Sequence, residues 1–244
     1  MLSVVIPAKN ESESLRSTIP NLASRLRLHG GAFEIVVVDD HSTDASLQVL
    51  EELSLNFSEL VTVSNQNEPG FGSAVRFGLS SCNGDIVSIF MADLSDDPAD
   101  LLAFWHKIEE GYDCVFGNRW GSQGGGVVDY PFAKKLLNRS LNLLIRLVFC
   151  TGYSDCTNAM KMYRKSVIDA CMPLRSVHFD LTVELPLRAM NRGFSFVVLP
   201  NSWRNRSFGI SKLHLKEMGS KYLRTLSRCF IDRIAIRYAA LASR

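Results

Sequence analysis

The apolar positions of the first 120 residues form short runs separated by stretches with helical spacing. LSVVIP (2–7) is a β-branched run closing near a proline, the pattern of a buried strand. From Glu11 to Leu28 the residues Leu15, Ile19, Leu22 and Leu26 recur at three- and four-residue intervals, which predicts a helix. FEIVVVDD (33–40) reads as a second strand ending in two carboxylates. A helix from Thr43 to Leu55, a strand LVTVS (60–64) and a helix from Gly72 to Cys82 come next. A strand running into an acidic turn (DIVSIFMADLSDDP, 85–98), a helix over 100–110 and a strand DCVFG (113–117) complete the series. Strands alternating with helices of this length predict βαβ units, a parallel sheet and an α/β fold.

Further on, residues 181–192 read as an amphipathic helix. Over 215–241 the residues Leu215, Met218, Tyr222, Leu226, Phe230, Ile234, Tyr238 and Leu241 recur near the helical period, with basic residues between them. A core-packed or oligomer-forming helix and a helix lying in a lipid interface both fit that pattern.

Composition narrows the class. The 244 residues are 46% hydrophobic and 21% charged, which excludes a disordered chain, and their length suits one large domain or one and a half. The 27 Lys and Arg against 25 Asp and Glu leave a net charge of +2, which points to no nucleic-acid partner. That charge is uneven: residues 215–244 carry +5 and the remainder −3, so a basic tail follows a mildly acidic body. The six cysteines show no zinc-ligand spacing and read as buried thiols of a reducing compartment. MLSVVIPAKN lacks the basic and apolar regions of a signal peptide, and the best apolar run, LNLLIRLVFC, is short and carries Arg146. A cytoplasmic protein without a membrane span is expected.

Three polar segments fall at predicted strand ends: PAKNE after the first, Asp39-Asp40 after the second and ADLSDD after the fourth strand. Ligands of open α/β sheets sit outside the carboxyl ends of the strands, so their shared placement marks a binding edge. GFGSAVRFG (70–78) completes neither a dinucleotide fingerprint nor a phosphate loop, and fits equally a tight turn before a helix.

In order and spacing, VVIPAKNE, VVVDDHSTD, NEPGFGSAVRFG and FMADLSDDP resemble the nucleotide-sugar half of family-2 inverting glycosyltransferases. FGNRW (116–120), GGG (124–126), KKLLNRSLN (134–142), SDCTNAMKMYRKSVI (154–168) and WRNRSFGISK (203–212) resemble the polyprenyl-phosphate (dolichyl-phosphate) mannose synthase branch. The resemblance implies a GT-A fold over 1–213, with a nucleotide-sugar half (1–117), an acceptor half (118–213) and the amphipathic basic helix over 214–244. It places Pro7, Lys9, Glu11, Val38 and Asp40 at the base and ribose, and Ala92 and Asp93 in the segment that binds metal and diphosphate. It gives Ser95 as a further metal ligand. It assigns Arg119, Lys134, Asn138, Arg206 and Lys212 to phosphates of donor or acceptor.

This chain departs from the pattern at the first Asp of the metal segment, which is Met91. A thioether does not replace a carboxylate for a hard cation, so Mg²⁺ or Mn²⁺ is expected to bind more weakly, through Asp93 and the diphosphate. Asp96 and Asp97 either add to that site or cap the helix after Pro98. An Arg of the acceptor region is Lys134, which keeps charge but loses bidentate geometry. The family's Ser-Gly-Phe-Arg is here Asn158, Ala159, Met160 and Lys161.

A lipid-phosphate acceptor is already an anion and needs no general base, only cations that offset its repulsion from the diphosphate. A hydroxyl acceptor needs a carboxylate base, and Asp180 is the candidate, although a helix N-cap explains it as well. Glu184 fits a support of the acceptor wall. The expected activity is hexose transfer from a nucleotide sugar to a polyprenyl phosphate by a peripheral protein on the cytoplasmic face of a membrane, or one using a membrane-embedded partner. Transfer to a hydroxyl, and a catalytically weak nucleotide-sugar-binding protein, are the alternatives.

Overall fold

A computed structural model of the chain describes residues 1–120, 126–205 and 215–242. The first half follows the predicted alternation: β1 (Leu2–Ala8), α1 (Ser12–Arg27), β2 (Phe33–Asp39), α2 (Ser46–Ser54), β3 (Leu60–Ser64), α3 (Phe71–Ser81), β4 (Ile86–Ile89), α4 (Pro98–Glu109) and β5 (Cys114–Asn118). The second half adds β6 (Val127–Val128), α5 (Phe132–Phe149), β7 (Lys161–Arg164), α6 (Lys165–Cys171) and α7 (Leu181–Asn191). It ends with β8 (Phe196–Pro200), β9 (Trp203–Arg204) and α8 (Leu215–Ala242).

Seven strands make one sheet in the order β3-β2-β1-β4-β7-β5-β8, and β6 pairs with β9 beside it. β7 runs antiparallel to both its neighbours, while the other pairs of the large sheet are parallel. The sheet is therefore mostly parallel rather than wholly so. β7 arrives from the end of α5 through an irregular segment, so it is free of the right-handed crossover that keeps consecutive βαβ strands parallel.

The unbroken apolar runs follow from burial on both faces. On β1 and β2, Val5, Val36 and Val38 enter one cluster with α3, α5, α7 and α8. Leu2, Val4, Ile6, Ile35 and Val37 enter the other, against α1, α2 and α4. Strand order turns around at β1 and β4, so the polar ends of β1, β2 and β4 share one edge of the sheet.

The turn and helix-start reading holds for Gly70 and Gly72. A Cβ on Gly70 would collide with the Val177 carbonyl oxygen, and one on Gly72 would stand 2.6 Å from that of Ser176. The Val177 carbonyl accepts from the Ser73 amide, so these glycines admit the 176–178 segment to the start of α3.

α8 packs on the core along one side. Leu226 and Cys229 are buried against the core, Thr225 is buried beneath them, and Asn191 Nδ2 donates to the Cys229 carbonyl. Its other side exposes Leu223, Ile231, Ile234 and Tyr238. α5 has the same double character: Ile145 and Phe149 are buried, while Leu136, Leu143 and Leu147 are exposed. Among the described residues, no helix is long and apolar enough to cross a membrane.

Candidate active site

At the donor edge, the loops after β1 and β2 are laced together. Asn10 receives a bond from the Thr43 amide at 2.7 Å and gives its own amide to Ser42 Oγ at 2.9 Å. Asp44 receives the Ser12 and Ser46 amides. Burial works against the Asp44 charge, yet donors from Ser46 and Ser12 outweigh it and bring its pKa down to about 2. The HSTD stretch thus fixes the shape of the crevice. Asn10, His41 and Leu94, one after each of the three strands, all have positive φ (51°, 59° and 52°). Such backbone clusters at functional sites, and for Leu94 it is a conformation that a branched side chain rarely adopts.

Asp39 and Asp40 are both buried and differ in partners. Asp40 holds Asn65 Nδ2 at 2.8 Å with one oxygen and the Gly70 amide at 2.9 Å with the other. It therefore organises the loop before α3. Asp39 keeps one buried oxygen, Oδ1, without a hydrogen bond. That unmet acceptor at the strand end makes Asp39 a stronger candidate for a donor-facing carboxylate than the assignment to Asp40 allowed. Pro7 and Lys9 are half-buried at the end of β1, and Glu11 takes a bond from Ser14 Oγ at 3.0 Å. The Val38 side chain lies in the core, so that residue can meet a base only through its main chain.

Beyond β4 the chain enters a cavity of about 350 Å³. Met91, Asp93, Ser95, Arg119, Lys134 and Asn138 all reach its wall, bringing together residues from three separated motifs. Ala92 lies just behind, buried, its carbonyl accepting from Thr18 Oγ1 at 2.6 Å. The lining also includes the apolar Leu137, Leu141, Phe179, Tyr222 and Leu223. Asp93 Oδ1 accepts the Ser95 amide at 3.1 Å, which orients the carboxylate. Asp93 and Ser95 offer hard oxygen, beside the Met91 thioether and the buried Asp96 carboxylate. Such a set fits a divalent cation that takes its remaining ligands from a diphosphate and water.

The two aspartates that follow part company. Asp97 caps α4 by accepting the Ala99 amide at 2.8 Å. Asp96 is buried on the cavity wall, where it accepts from Asn201 Nδ2 at 3.2 Å. Burial, with Asp93, Asp100 and Asp155 nearby, raises its pKa to about 7 despite Arg119.

Arg119 does not stand free for a phosphate. Its Nε and one terminal nitrogen clamp Asp155 at 2.9 and 2.8 Å, and its own amide binds the same carboxylate. Burial disfavours its charge, but Asp155 outweighs that and raises its pKa. Lys134 sits 5.6 Å from the Tyr130 ring centre and 5.9 Å from that of Trp203. Asn138 donates to Thr157 Oγ1 at 2.7 Å, and Asn142 binds both residues, tying α5 to the segment before β7. Lys161 is buried and gives its ammonium to the carbonyls of Cys156, Asn158 and Thr182. Arg206 and Lys212 lie outside the described residues.

Two expectations near α7 are corrected. Asp180 makes no side-chain capping bond; it accepts from Thr225 Oγ1 at 2.8 Å and so joins α7 to α8. Glu184 faces away from the acceptor wall, receiving the Arg175 and Ser176 amides at 3.0 and 2.8 Å. Asp39 belongs to the polar strand-end pair that the sequence marks, while the pairing of Asp155 with Arg119 leaves no mark on a sequence.

A mostly parallel sheet whose polar strand ends meet an aspartate-bearing cavity is the architecture of the GT-A glycosyltransferases. Within that class the chain belongs to glycosyl transferase family 2, which residues 3–171 match. It is 30% identical over 241 residues to dolichol-phosphate mannosyltransferase of Pyrococcus furiosus, covering 96% of this chain and 66% of that protein. It is 29% identical over 212 residues to undecaprenyl-phosphate 4-deoxy-4-formamido-L-arabinose transferase of Pseudomonas fluorescens, covering 86% of this chain and 59% of that protein. The chain thus spans somewhat less than two-thirds of the length of these relatives. In three dimensions it is similar to glucosyl-3-phosphoglycerate synthase from Mycobacterium tuberculosis, solved with Mn²⁺, uridine diphosphate and phosphoglyceric acid. The TM-score is 0.70 at 20% identity, over 94% of this chain and 78% of that one.

Proposed function

We propose that the chain transfers a hexose, with inversion, from a GDP- or UDP-sugar to a polyprenyl phosphate. The observation that carries this reading is the mixed lining of the cavity. Asp93, Lys134 and Asn138 line it together with Leu137, Leu141, Tyr222 and Leu223, so polar groups for a phosphate adjoin an apolar surface for its chain. The two curated relatives, whose names give dolichol phosphate and undecaprenyl phosphate, support the same acceptor class.

In this reading the edge carrying Pro7, Lys9, Glu11, Asp39 and Asp40 holds the nucleoside, and Asp93 with Ser95 holds a divalent cation against the diphosphate. Bound there, Mg²⁺ or Mn²⁺ supplies charge stabilisation to the leaving phosphate. Lys134, Arg206 and Lys212 are the cations that draw in the acceptor phosphate, while Arg119 stiffens the wall through Asp155. A phosphate oxygen attacks the anomeric carbon as the bond to the nucleoside diphosphate breaks, and the diphosphate leaves with the electron pair. No proton need be removed, and in this reading Asp180, which accepts from Thr225 Oγ1, serves to join α7 to α8.

The exposed leucines of α5 stand among Lys135, Arg139 and Arg146, and those of α8 near Arg224 and Arg237. This pairing of apolar and basic groups fits a protein lying on an anionic membrane surface, where its lipid acceptor resides.

The test measures sugar transfer from candidate nucleotide sugars to a polyprenyl phosphate in mixed micelles, with and without Mg²⁺ or Mn²⁺. Wild type turns over, and Asp93→Ala loses roughly 10²–10³-fold of the rate, the usual cost of one preorganised electrostatic group. Nucleotide binding without any transfer would instead make the chain a nucleotide-sugar-binding protein. Transfer to a soluble hydroxyl that collapses in folded Asp180→Asn would favour the hydroxyl-acceptor reading.

A further inference from the structure

α1 and α4 run back from the crevice edge, so their C-terminal ends meet at the opposite side of the sheet. His29, just past α1, lies there beside His106 and Glu109 in the last turn of α4. His29 Nε2 stands 3.2 Å from Glu109 Oε2, and His106 Nδ1 stands 3.4 Å from the same oxygen. One ligand atom from each residue lies within 4.8 Å of the others, which no other trio of His, Cys, Asp or Glu achieves among the described residues.

We propose that His29, His106 and Glu109 form a second metal site, selective for a borderline transition ion such as Zn²⁺ and separate from the donor crevice. Zinc bonds of about 2.0–2.1 Å to nitrogen and oxygen place tetrahedral neighbours about 3.3 Å apart. Both measured separations match that edge. Two imidazoles and a carboxylate suit Zn²⁺ over Mg²⁺, which prefers oxygen alone.

The first ligand is held in place before any metal arrives. The His29 ring stacks on Trp105 with centres 3.7 Å apart and planes 9° from parallel. Its Nδ1 is buried without a partner, and a Cβ on Gly31 would come within 2.9 Å of it, so Nε2 alone faces outward. His106 is largely exposed, its ring centre 4.9 Å from that of His29, and free to swing into position. The nearby cations do not oppose a metal, because Arg27 is paired with Glu59 and Lys107 with Glu110. Two helix C-termini add their partial negative charge. Without a second-shell acceptor for Nδ1, affinity falls about 10–100-fold below that of a fully supported site. The site thus clips α1 to α4 reversibly.

The experiment uses full-length, chelator-treated protein carrying Cys150→Ser, which removes the exposed thiol as a competing ligand. Melting temperature is followed against ZnCl₂ and MgCl₂, and CoCl₂ is added to read the visible absorption of tetrahedral cobalt. Zinc raises the melting temperature by several degrees, magnesium does not, and cobalt gives the tetrahedral band. His106→Ala, at an exposed position, keeps the metal-free melting temperature and loses both signals, whereas Asp93→Ala retains both. Equal zinc shifts with and without His106, or no shift up to millimolar zinc, would overturn the proposal.

Discussion

The donor edge and the α5–α8 side treat their residues in opposite ways. At the donor edge the polar side chains form a dense set of bonds between loops: Asn10, Ser42, Asp44 and Ser46 lace the first two loops, and Asp40 pins the third. On the α5–α8 side a few polar ties, such as Arg119–Asp155 and Asp180–Thr225, stand beside a cavity lining that is largely apolar. The first region is held in shape by these bonds. The second is a cavity opening toward surface leucines, suited to a long flexible ligand.

Removing one long-range tie should do most damage. Asp155→Ala leaves the Arg119 guanidinium buried and unpaired, which costs about 3–5 kcal/mol. Urea unfolding should show that loss together with collapse of transfer. A change below about 1 kcal/mol would mean that Arg119 finds another anion and that the cavity wall is not built as described.

Next in size is the packing at the crevice base. Gly72→Ala pushes a methyl against the Ser176 and His178 carbonyls, at 2.6 and 2.7 Å, and should cost about 1–3 kcal/mol. Calorimetry should show the lower melting temperature, while nucleotide affinity of the folded protein is kept. Selective loss of nucleotide affinity would turn these glycines into a phosphate cradle and blur the division between the two regions.

Asp96 gives a pH signature of the cavity. Its folded pKa of about 7 lies above the ordinary 3.8, so the folded state binds the extra proton between those values. Its contribution to stability is present at low pH and lost as pH rises through 7. Asp96→Asn should therefore melt higher than wild type, with a gap that widens from pH 4 to pH 7 and then levels off. A gap independent of pH would show that Asp96 ionises like a solvent-exposed carboxylate.

The smallest effect on stability belongs to the open face. Leu147→Gln, at a side chain 69% exposed, should change stability by less than about 0.5 kcal/mol. Co-sedimentation should nevertheless show weaker binding to anionic vesicles. Unchanged vesicle binding in Leu147→Gln combined with Ile231→Gln would remove the membrane from the comparison.

How far each region could be read from sequence follows from the same contrast. β1 to β5 with their helices are local objects, set by apolar period and by turns of a few residues, and the predicted and observed bounds differ by only a few positions. α5 and β7 escaped the pattern. α5 has a pronounced helical period but is read in the sequence only as a motif; it buries Ile145 and Phe149 and leaves Leu136, Leu143 and Leu147 exposed. β7 is four residues long and includes a buried lysine. The resemblance brought Asp93, Arg119, Lys134 and Asn138 into one set because family motifs preserve a site across distant positions.

Composition and period by themselves determined an α/β chain with polar strand ends along one edge, since the strand period and burial on both faces leave few other folds. Only the tertiary structure decided which carboxylates are spent on the protein and which remain for ligands. Asp40 is consumed by Asn65 and Gly70, Asp97 by its own helix and Asp155 by Arg119, while Asp39 keeps an unmet oxygen and Asp93, which accepts the Ser95 amide, lines the cavity. The physical reason is that a carboxylate's role is set by the donors within about 3 Å of it. For Asp40 and Asp155 the donors come from residues tens of positions away in the chain.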